Sequence, residues 1–427
     1  MKIVESIVEL NELRNLLETE ASIWYPIWVD NDKHPQNTHI SFLFVSTQLD
    51  KYIIPQQHTD AVSLSNEEIE GVLNTAGEKW VFQKKKLLQS FTNVREGLND
   101  VDTAHFLKTG EPIDYQQPLQ HLVAPLLHKG YKEDIIQSIP ILKLAEAIEP
   151  QLLKHRNQKS KTYNWYNDTF LPTLSDIERY GIRVDGKKFI DRWPQAHKQV
   201  STKSKVFTEY NPFTVTGRPS NRHGGVNFSA LNKSDGSREC FVSDGIFLQM
   251  DYDAYHPRII GKLIGYPLPQ TSVHRWLSEQ YGTSYEEGKG VTFQLLYGGI
   301  PTEFLEIPYF KGVDDYIKEL WVKVQRDGYL TTLKRRIPLS WIDTPNPQKV
   351  FNYLLQAVET ELNVDKLGKI IPLIRNTDVK FVLYTYDSFL LDYPLDYPAD
   401  VARELKGVIE GGGFPIKASW GTDYSKV

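Results

Sequence analysis

Two stretches of the chain each carry a carboxylate on an apolar run. One is Phe247-Leu248-Gln249-Met250-Asp251-Tyr252-Asp253, and the other runs from Phe381 to Leu391 with Asp387 near its middle. Two such strands side by side would bring Asp251 and Asp387 together. A carboxylate pair of that kind holds two Mg²⁺ ions, which clamp the attacking and leaving oxygens of a phosphoryl transfer. Taken singly, each Asp reads as the polar end of a buried strand. Between them lies Gly288-Lys289-Gly290-Val291-Thr292-Phe293-Gln294-Leu295-Leu296-Tyr297-Gly298. Lys289, Phe293 and Tyr297 recur every four residues, which puts them on one face of a helix. A cation, an aromatic plane and a phenol in a row suit a nucleoside triphosphate: Lys289 on phosphate, Phe293 near base and sugar, Tyr297 by a template base. An amphipathic helix with core Phe and Tyr and a rim Lys has the same pattern. Each glycine costs a helix about 1 kcal/mol, so this helix is expected to start at Lys289 or to be unusually mobile.

The elements that must position these residues sit in a chain of 427 residues, long enough for about three domains. The net charge of −5 excludes attraction of nucleic acid by the molecule as a whole, so DNA contacts would come from local basic clusters. Cys240 is the single cysteine, which excludes a disulfide within the chain. The N-terminus has no signal-peptide pattern and no apolar run approaches a membrane span, so no membrane association is expected and the cytoplasm is the expected location. Residues 1–155 read as α/β, with strand-like runs at Ile23–Val29, His39–Val45 and Tyr52–Ile54 and helical patterns at Asn66–Leu73 and Ile136–Leu153. Residues 156–162 read as a polar linker and Trp165–Tyr180 as a helix. Strand, helix, helix, helix, strand describes the region from Asp251 onward.

Seven motifs in order between 171 and 390 resemble those of family A DNA polymerases, the group of bacterial DNA polymerase I and many phage replicases. The carboxylate motif reads Asp251-Tyr252-Asp253-Ala254-Tyr255-His256-Pro257-Arg258. The Lys-x-x-x-Phe-x-x-x-Tyr-Gly helix follows, and then the turn Tyr386-Asp387-Ser388. Leu171–Asp185 resembles the lead into the palm. Thr216-Gly217-Arg218-Pro219-Ser220 with Asn227 resembles the loop that grips primer–template. Gly328–Pro338 resembles the segment after the fingers, and Asn352 and Gln356 resemble residues that touch the duplex minor groove.

The resemblance implies a right-hand polymerase in 163–427, an α/β chain with an α+β palm. The palm is expected at 163–185, 236–265 and 340–427, a reduced thumb and primer loop at 186–235, and fingers at 266–339. It implies Asp251, Asp387 and the Tyr252 carbonyl as ligands for two Mg²⁺ ions, a role Mn²⁺ could also fill. The primer 3′-hydroxyl would attack the α-phosphorus of a dNTP, with Lys289 neutralising the triphosphate. His274, Lys289, Phe293, Tyr297 and His256 would contact the nucleotide; Arg218, Asn227, Asn352, Gln356, Arg335 and Arg336 would contact DNA. His274 alternatively reads as a surface histidine, and Lys334-Arg335-Arg336 as a solvated charge run.

Departures from the family pattern are specific. His256 stands where a Glu usually excludes ribose, Tyr285 where an Arg is usual, and Ser388 where a Glu usually follows the second Asp. The short thumb implies weak grip on DNA and a processivity partner. Residues 1–155 resemble an RNase H-like 3′–5′ exonuclease domain, with Asp30-Asn31-Asp32 in place of its Asp-x-Glu. The stretch Val81–Leu87 lacks a carboxylate and no Asp is expected near Gln137, so the domain reads as a vestigial nuclease. Its Lys84-Lys85-Lys86 could face DNA instead. A compact polymerase without proofreading suggests a phage or mobile element. The competing readings are a single-subunit RNA polymerase or relaxed-sugar polymerase, a non-catalytic DNA-binding relative, and a nuclease.

Overall fold

The computed structural model describes every residue except 95–96, 153–158, 195–199, 201–203 and 222–225. The chain forms two compact units, Met1–Arg179 and Tyr180–Val427. Among the described residues no helix is long and apolar enough to cross a membrane.

The first unit is a six-stranded mixed sheet with helices on its faces. Its strands are β1 (Lys2–Ile3), β2 (Ser22–Trp28), β3 (Ile40–Ser46), β4 (Lys51–Pro55), β5 (Lys79–Val81) and β6 (Leu98–Asp100), in the order β1-β4-β3-β2-β5-β6. Its helices are α1 (Ile7–Leu16), α2 (Asn66–Leu73), α3 (Lys84–Ser90), α4 (Val101–Thr109), α5 (Gln120–His128), α6 (Ile141–Leu152), α7 (Lys161–Trp165) and α8 (Leu171–Glu178). Strands β2 and β3 are near-continuous apolar runs because both faces are covered. Trp24, Trp28, Leu43 and Val45 enter one core cluster and Tyr25, Ile27, Phe42 and Phe44 the other.

The unit ends later than the polar linker suggested. The segment from α7 to α8 includes a wide π-helical turn (Tyr166–Phe170), and it packs into the first unit through buried Tyr163, Tyr166, Phe170 and Leu174. The expectation that Lys84, Lys85 and Lys86 face DNA is not met, because all three are buried. Lys84 Nζ donates to the carbonyls of Leu98 and Asn167, Lys85 pairs with the buried Glu178, and Lys86 donates to the Asn31 carbonyl. A buried ammonium is retained only when such partners replace its hydration. Burial pushes the Lys84 amine down to about 8. The lysines brace the helical segment instead of forming a basic surface.

The second unit continues with β7 (Ile182–Val184), α9 (Gly186–Arg192), β8 (Lys205–Val206), β9 (Tyr210–Asn211) and β10 (Ser220–Asn221). Then come β11 (Phe241–Tyr252), α10 (Tyr255–Leu263), α11 (Val273–Tyr281), α12 (Tyr285–Gly298), α13 (Pro308–Asp327), β12 (Tyr329–Thr331) and β13 (Arg336–Pro338). The last elements are α14 (Pro347–Ile374), β14 (Lys380–Thr385), β15 (Ser388–Tyr393), α15 (Ala399–Glu410) and β16 (Ile416–Asp423). The central sheet runs β14-β15-β11-β7-β8, with β16 also paired to β11. Of the segment 186–235 expected as a reduced thumb and primer loop, residues 195–199, 201–203 and 222–225 lie outside the described residues.

Two local expectations change. Phe381–Leu391 is not one strand but the hairpin of β14 and β15, and Asp387 lies at its turn beside Tyr386, whose φ is +57°. Helix α12 starts at Tyr285, not Lys289. Ser284 caps it with a reciprocal Ser284–Glu287 box, which satisfies backbone donors that Gly288 and Gly290 do nothing to stabilise. Gly288 has a packing reason: a Cβ there would lie 2.8 Å from Ser278 Cα, so α11 and α12 approach too closely for any side chain.

Candidate active site

The sheet register brings the two carboxylate motifs together. In the antiparallel pair β11–β15, Asp251 stands opposite Ser388, the neighbour of Asp387, and the Tyr252 amide donates to the Asp387 carbonyl at 3.1 Å. Asp251 Oδ2 accepts from Gln249 Nε2 at 2.5 Å. Asp387 opens into the cleft, yet the protein around it, Glu359 and Asp251 together push its carboxyl up to about 6. Excess negative charge at two hard oxygen donors fits a divalent cation. Among the described residues no three His, Cys, Asp or Glu side chains converge on one metal position.

Asp387 lies at one wall of a cleft of about 230 Å³, also lined by Arg218, Tyr252, Asp253, His256, His274, Lys289, Phe293, Tyr297, Glu359, Tyr386 and Lys417. The row on α12 points into it: the Phe293 and Tyr297 rings stack at 6.0 Å, with Lys289 exposed one turn earlier. His274 on α11 is not a surface histidine. It is buried, its ring lies 5.7 Å from Phe293, and burial, with help from Lys289, pushes its imidazole down to about 4. Lys417 on β16 adds a cation at the rim and pairs with Asp253 at 2.9 Å. Arg258, which ends the first carboxylate motif, is a buried brace that donates to the carbonyls of Asp253, Pro269 and Thr271.

Helix α14 lines the cleft with Glu359. Asn352, Gln356, Glu359, Asn363 and Lys366 follow one another at three- and four-residue steps and so share a face. Asn352 Nδ2 donates to the Tyr297 carbonyl at 3.4 Å, and Gln356 Oε1 accepts from Thr216 Oγ1 at 3.4 Å. Asn363 accepts from Tyr255 Oη at 2.8 Å and donates to the Tyr386 carbonyl at 2.6 Å. Lys366 Nζ donates to Tyr252 Oη at 2.7 Å. Glu359, 2% exposed, faces His256 Nε2 at 3.3 Å and Arg218 at 3.0 Å. Burial alone would raise its carboxyl, but His256 and Arg218 hold it below the usual range. Sequence reasoning found Asn352 and Gln356 but missed Glu359, Asn363 and Lys366. The polar spacing along an otherwise apolar helix was the available signal.

The residues expected to contact DNA are dispersed. Arg218 reaches the cleft, with its guanidinium 3.4 Å above the Tyr386 ring. Asn227 is exposed. Arg335 is buried and pairs with Glu361 at 3.2 Å, which corrects its expected place on the DNA backbone. It packs so tightly beneath Gly217, whose φ is +72°, that a Cβ there would meet the guanidinium carbon at 2.9 Å. The guanidinium fixes the 214–218 loop. Its neighbour Arg336 is exposed and lies over the Tyr329 ring at 4.8 Å.

In the first unit, Asp30 and Asp32 line a larger cleft of about 760 Å³ with Trp28, Tyr115, Asp114, Glu133 and Asp134. Asp134, whose φ is +51°, thus lies on that cleft three residues before Gln137, where no Asp was expected.

No family model matches the chain, and no curated protein matches it. Among solved structures it is similar to the POL domain of Pol1 from M. smegmatis in complex with DNA primer-template and dNTP, with a TM-score of 0.71 and 15% sequence identity over 100% of both chains. The chain thus has the mixed α/β fold of a DNA polymerase domain.

Proposed function

We propose that the chain is a DNA-directed DNA polymerase that adds dNTPs to a primer 3′-hydroxyl. The observation that carries this reading is Asp251, near the end of β11, paired opposite Ser388 beside the β14–β15 turn that brings Asp387 to a cleft also lined by Lys289, Phe293 and Tyr297 of one helix. On this reading the sheet is the palm, α11–α13 belong to the fingers, and the 214–218 loop meets the primer end. Lys289 and Lys417 hold the triphosphate, whose charge their ammonium groups neutralise. Phe293 and Tyr297 offer stacked planes to the base pair, and Arg218 approaches the primer side of Asp387. Mg²⁺ held by Asp251, Asp387 and the Tyr252 carbonyl would supply Lewis acidity at the reacting oxygens. Primer-template DNA and dNTPs are the partners, with a processivity factor in place of a long thumb. The first unit is a degenerate exonuclease-type domain.

The test is extension of a labelled primer on a DNA template with Mg²⁺, beside Asp387→Ala. Wild-type extension lost in the variant is the expected result. No extension by the wild type with any dNTP mixture refutes the enzyme, and unchanged extension by the variant refutes the assignment of Asp387.

A further inference from the structure

Asn363 is a fully buried polar side chain on α14 that the reaction outlined above leaves without a role. Its amide is used at both ends. Nδ2 donates to the Tyr386 carbonyl at 2.6 Å and to the Tyr384 hydroxyl at 3.3 Å, and Oδ1 accepts from Tyr255 Oη at 2.8 Å. A carbonyl can only accept, so the contact with Tyr386 fixes which way the amide faces.

The Tyr386 carbonyl belongs to the peptide that joins Tyr386 to Asp387. That peptide lies in a two-residue loop, because Thr385 pairs with Ser388 across the hairpin. The φ of +57° at Tyr386 crowds its Cβ and is uncommon outside Gly, Asn and Asp. Such a backbone persists only where its surroundings hold it. Here Arg218 covers the ring at 3.4 Å and Asn363 takes the carbonyl. The peptide on the other side of Asp387 is held by β11, through the Tyr252 amide. The main chain is thus fixed before Asp387 by α14 and after it by β11. Tyr255, the partner of Oδ1, stacks its ring on that of Tyr252 at 3.9 Å, so the same amide also meets the strand end that carries Asp251.

With Asp251 and Asp387 read as the metal pair, we infer that Asn363 is a positioning residue for the cation, an inference that rests on that reading. It holds the Tyr386–Asp387 peptide in its left-handed conformation and so keeps the Asp387 carboxylate beside the end of β11 before a cation arrives. Without the Nδ2 donor the turn relaxes towards negative φ. Repulsion between the two carboxylates favours that movement. A cation must then rebuild the turn as it binds, and its affinity falls by the cost of doing so.

The test is titration of the full chain with Mn²⁺, without DNA or nucleotide, following free Mn²⁺ by electron paramagnetic resonance. Asp387→Ala identifies the binding that belongs to this site. Asn363→Leu keeps the volume and removes the donor. Its dissociation constant is expected to rise about tenfold, the effect of losing one buried hydrogen bond. Tyr255→Phe removes the bond at the other end of the amide and keeps the stack on Tyr252. It should lose Tm as the Leu variant does, yet bind Mn²⁺ as the wild type does. In primer extension the Leu variant should need more Mg²⁺ for half its maximal rate and approach the wild-type rate at saturating Mg²⁺. Should the Leu variant not fold, Asn363→Ala gives the same comparison. An Asn363 variant with wild-type affinity overturns the inference. So do equal affinity shifts in the Asn363 and Tyr255 variants that follow their losses of Tm, which mark a structural role only. Mn²⁺ binding that Asp387→Ala leaves unchanged overturns the metal-pair reading itself, whereas binding lost in Asp387→Ala and unmoved in Asn363→Leu overturns this inference alone.

Discussion

Gly288→Ala and Gly290→Ala make the same chemical change two residues apart on α12 and are expected to act in opposite directions. Both sites are inside a capped helix, where alanine is favoured over glycine by about 0.8–1 kcal/mol. At Gly290 a Cβ meets nothing within 4 Å, so most of that gain should be realised. At Gly288 the new Cβ would lie 2.7 Å from Ser278 Cβ and 2.8 Å from Ser278 Cα, and backbone cannot rotate away. Ser278 Oγ also donates to the His274 carbonyl at 2.7 Å, which resists a change of rotamer. Overpacking of this kind costs roughly 1–3 kcal/mol or more. Set against the propensity gain, it leaves a net loss of up to about 2 kcal/mol or more. For a unit of this size, 1 kcal/mol moves Tm by about 2–4 °C. Thermal melts followed by circular dichroism should therefore show Gly290→Ala slightly above the wild type and Gly288→Ala several degrees below. Gly288→Ala should also weaken nucleotide affinity, because prising α11 from α12 separates His274 from Lys289. Shifts of the same sign in both variants would refute the close-packing argument.

Two further outcomes follow from buried charge. Lys85→Met takes the paired ammonium from the fully buried Glu178, which also accepts from Gln89, and should destabilise the first unit by about 3–5 kcal/mol in urea unfolding, while Lys85→Met/Glu178→Leu should recover much of the loss. The Asp387 carboxyl titrates near 6 when folded, above the usual value for an unfolded Asp, so the folded state binds the extra proton. The metal-free protein should therefore lose stability as pH rises from about 4 to about 6. Asp387→Asn should flatten that slope, and Mg²⁺ should raise Tm at neutral pH in the wild type but not in the variant. An equal Mg²⁺ effect in both would place the cation elsewhere.

Much of the architecture was legible because it is written in local pattern. The β2 and β3 runs, the β11 strand and the four-residue rhythm of α12 all follow from hydrophobic periodicity; β2 and β3 appear near their expected limits, whereas β11 begins at Phe241 and α12 at Tyr285, ahead of Phe247 and Lys289. Periodicity says nothing about which polar residues pair at long range. The Lys84–Lys86 run looks solvated in sequence, and only the fold supplies Glu178 and the carbonyls that allow its burial. Arg335 and Arg336 are indistinguishable by type, but the fold puts Arg335, in the turn before β13, under Gly217 and Arg336, the first residue of β13, in solvent. The turn at Tyr386-Asp387 came from the family resemblance and not from turn chemistry, because Tyr386, whose φ is positive, is neither Gly nor Asn. Glu359 was missed because its partners His256 and Arg218 lie far away along the chain.

The stripe on α14 has a consequence for precision. The end of β11, the start of α10, the β14–β15 turn, the end of α12 and the 214–218 loop are remote in sequence, yet each is tied by a hydrogen bond or ion pair to this single helix. Their relative positions are therefore referred to one ruler and do not accumulate error through the loops that join them. A displacement of α14 carries all five together and preserves their spacing. Insertions in the connecting loops should be tolerated, whereas one residue added between Asn352 and Lys366 would turn the helix beyond it by about 100° against the part before and put the two sets of contacts out of phase.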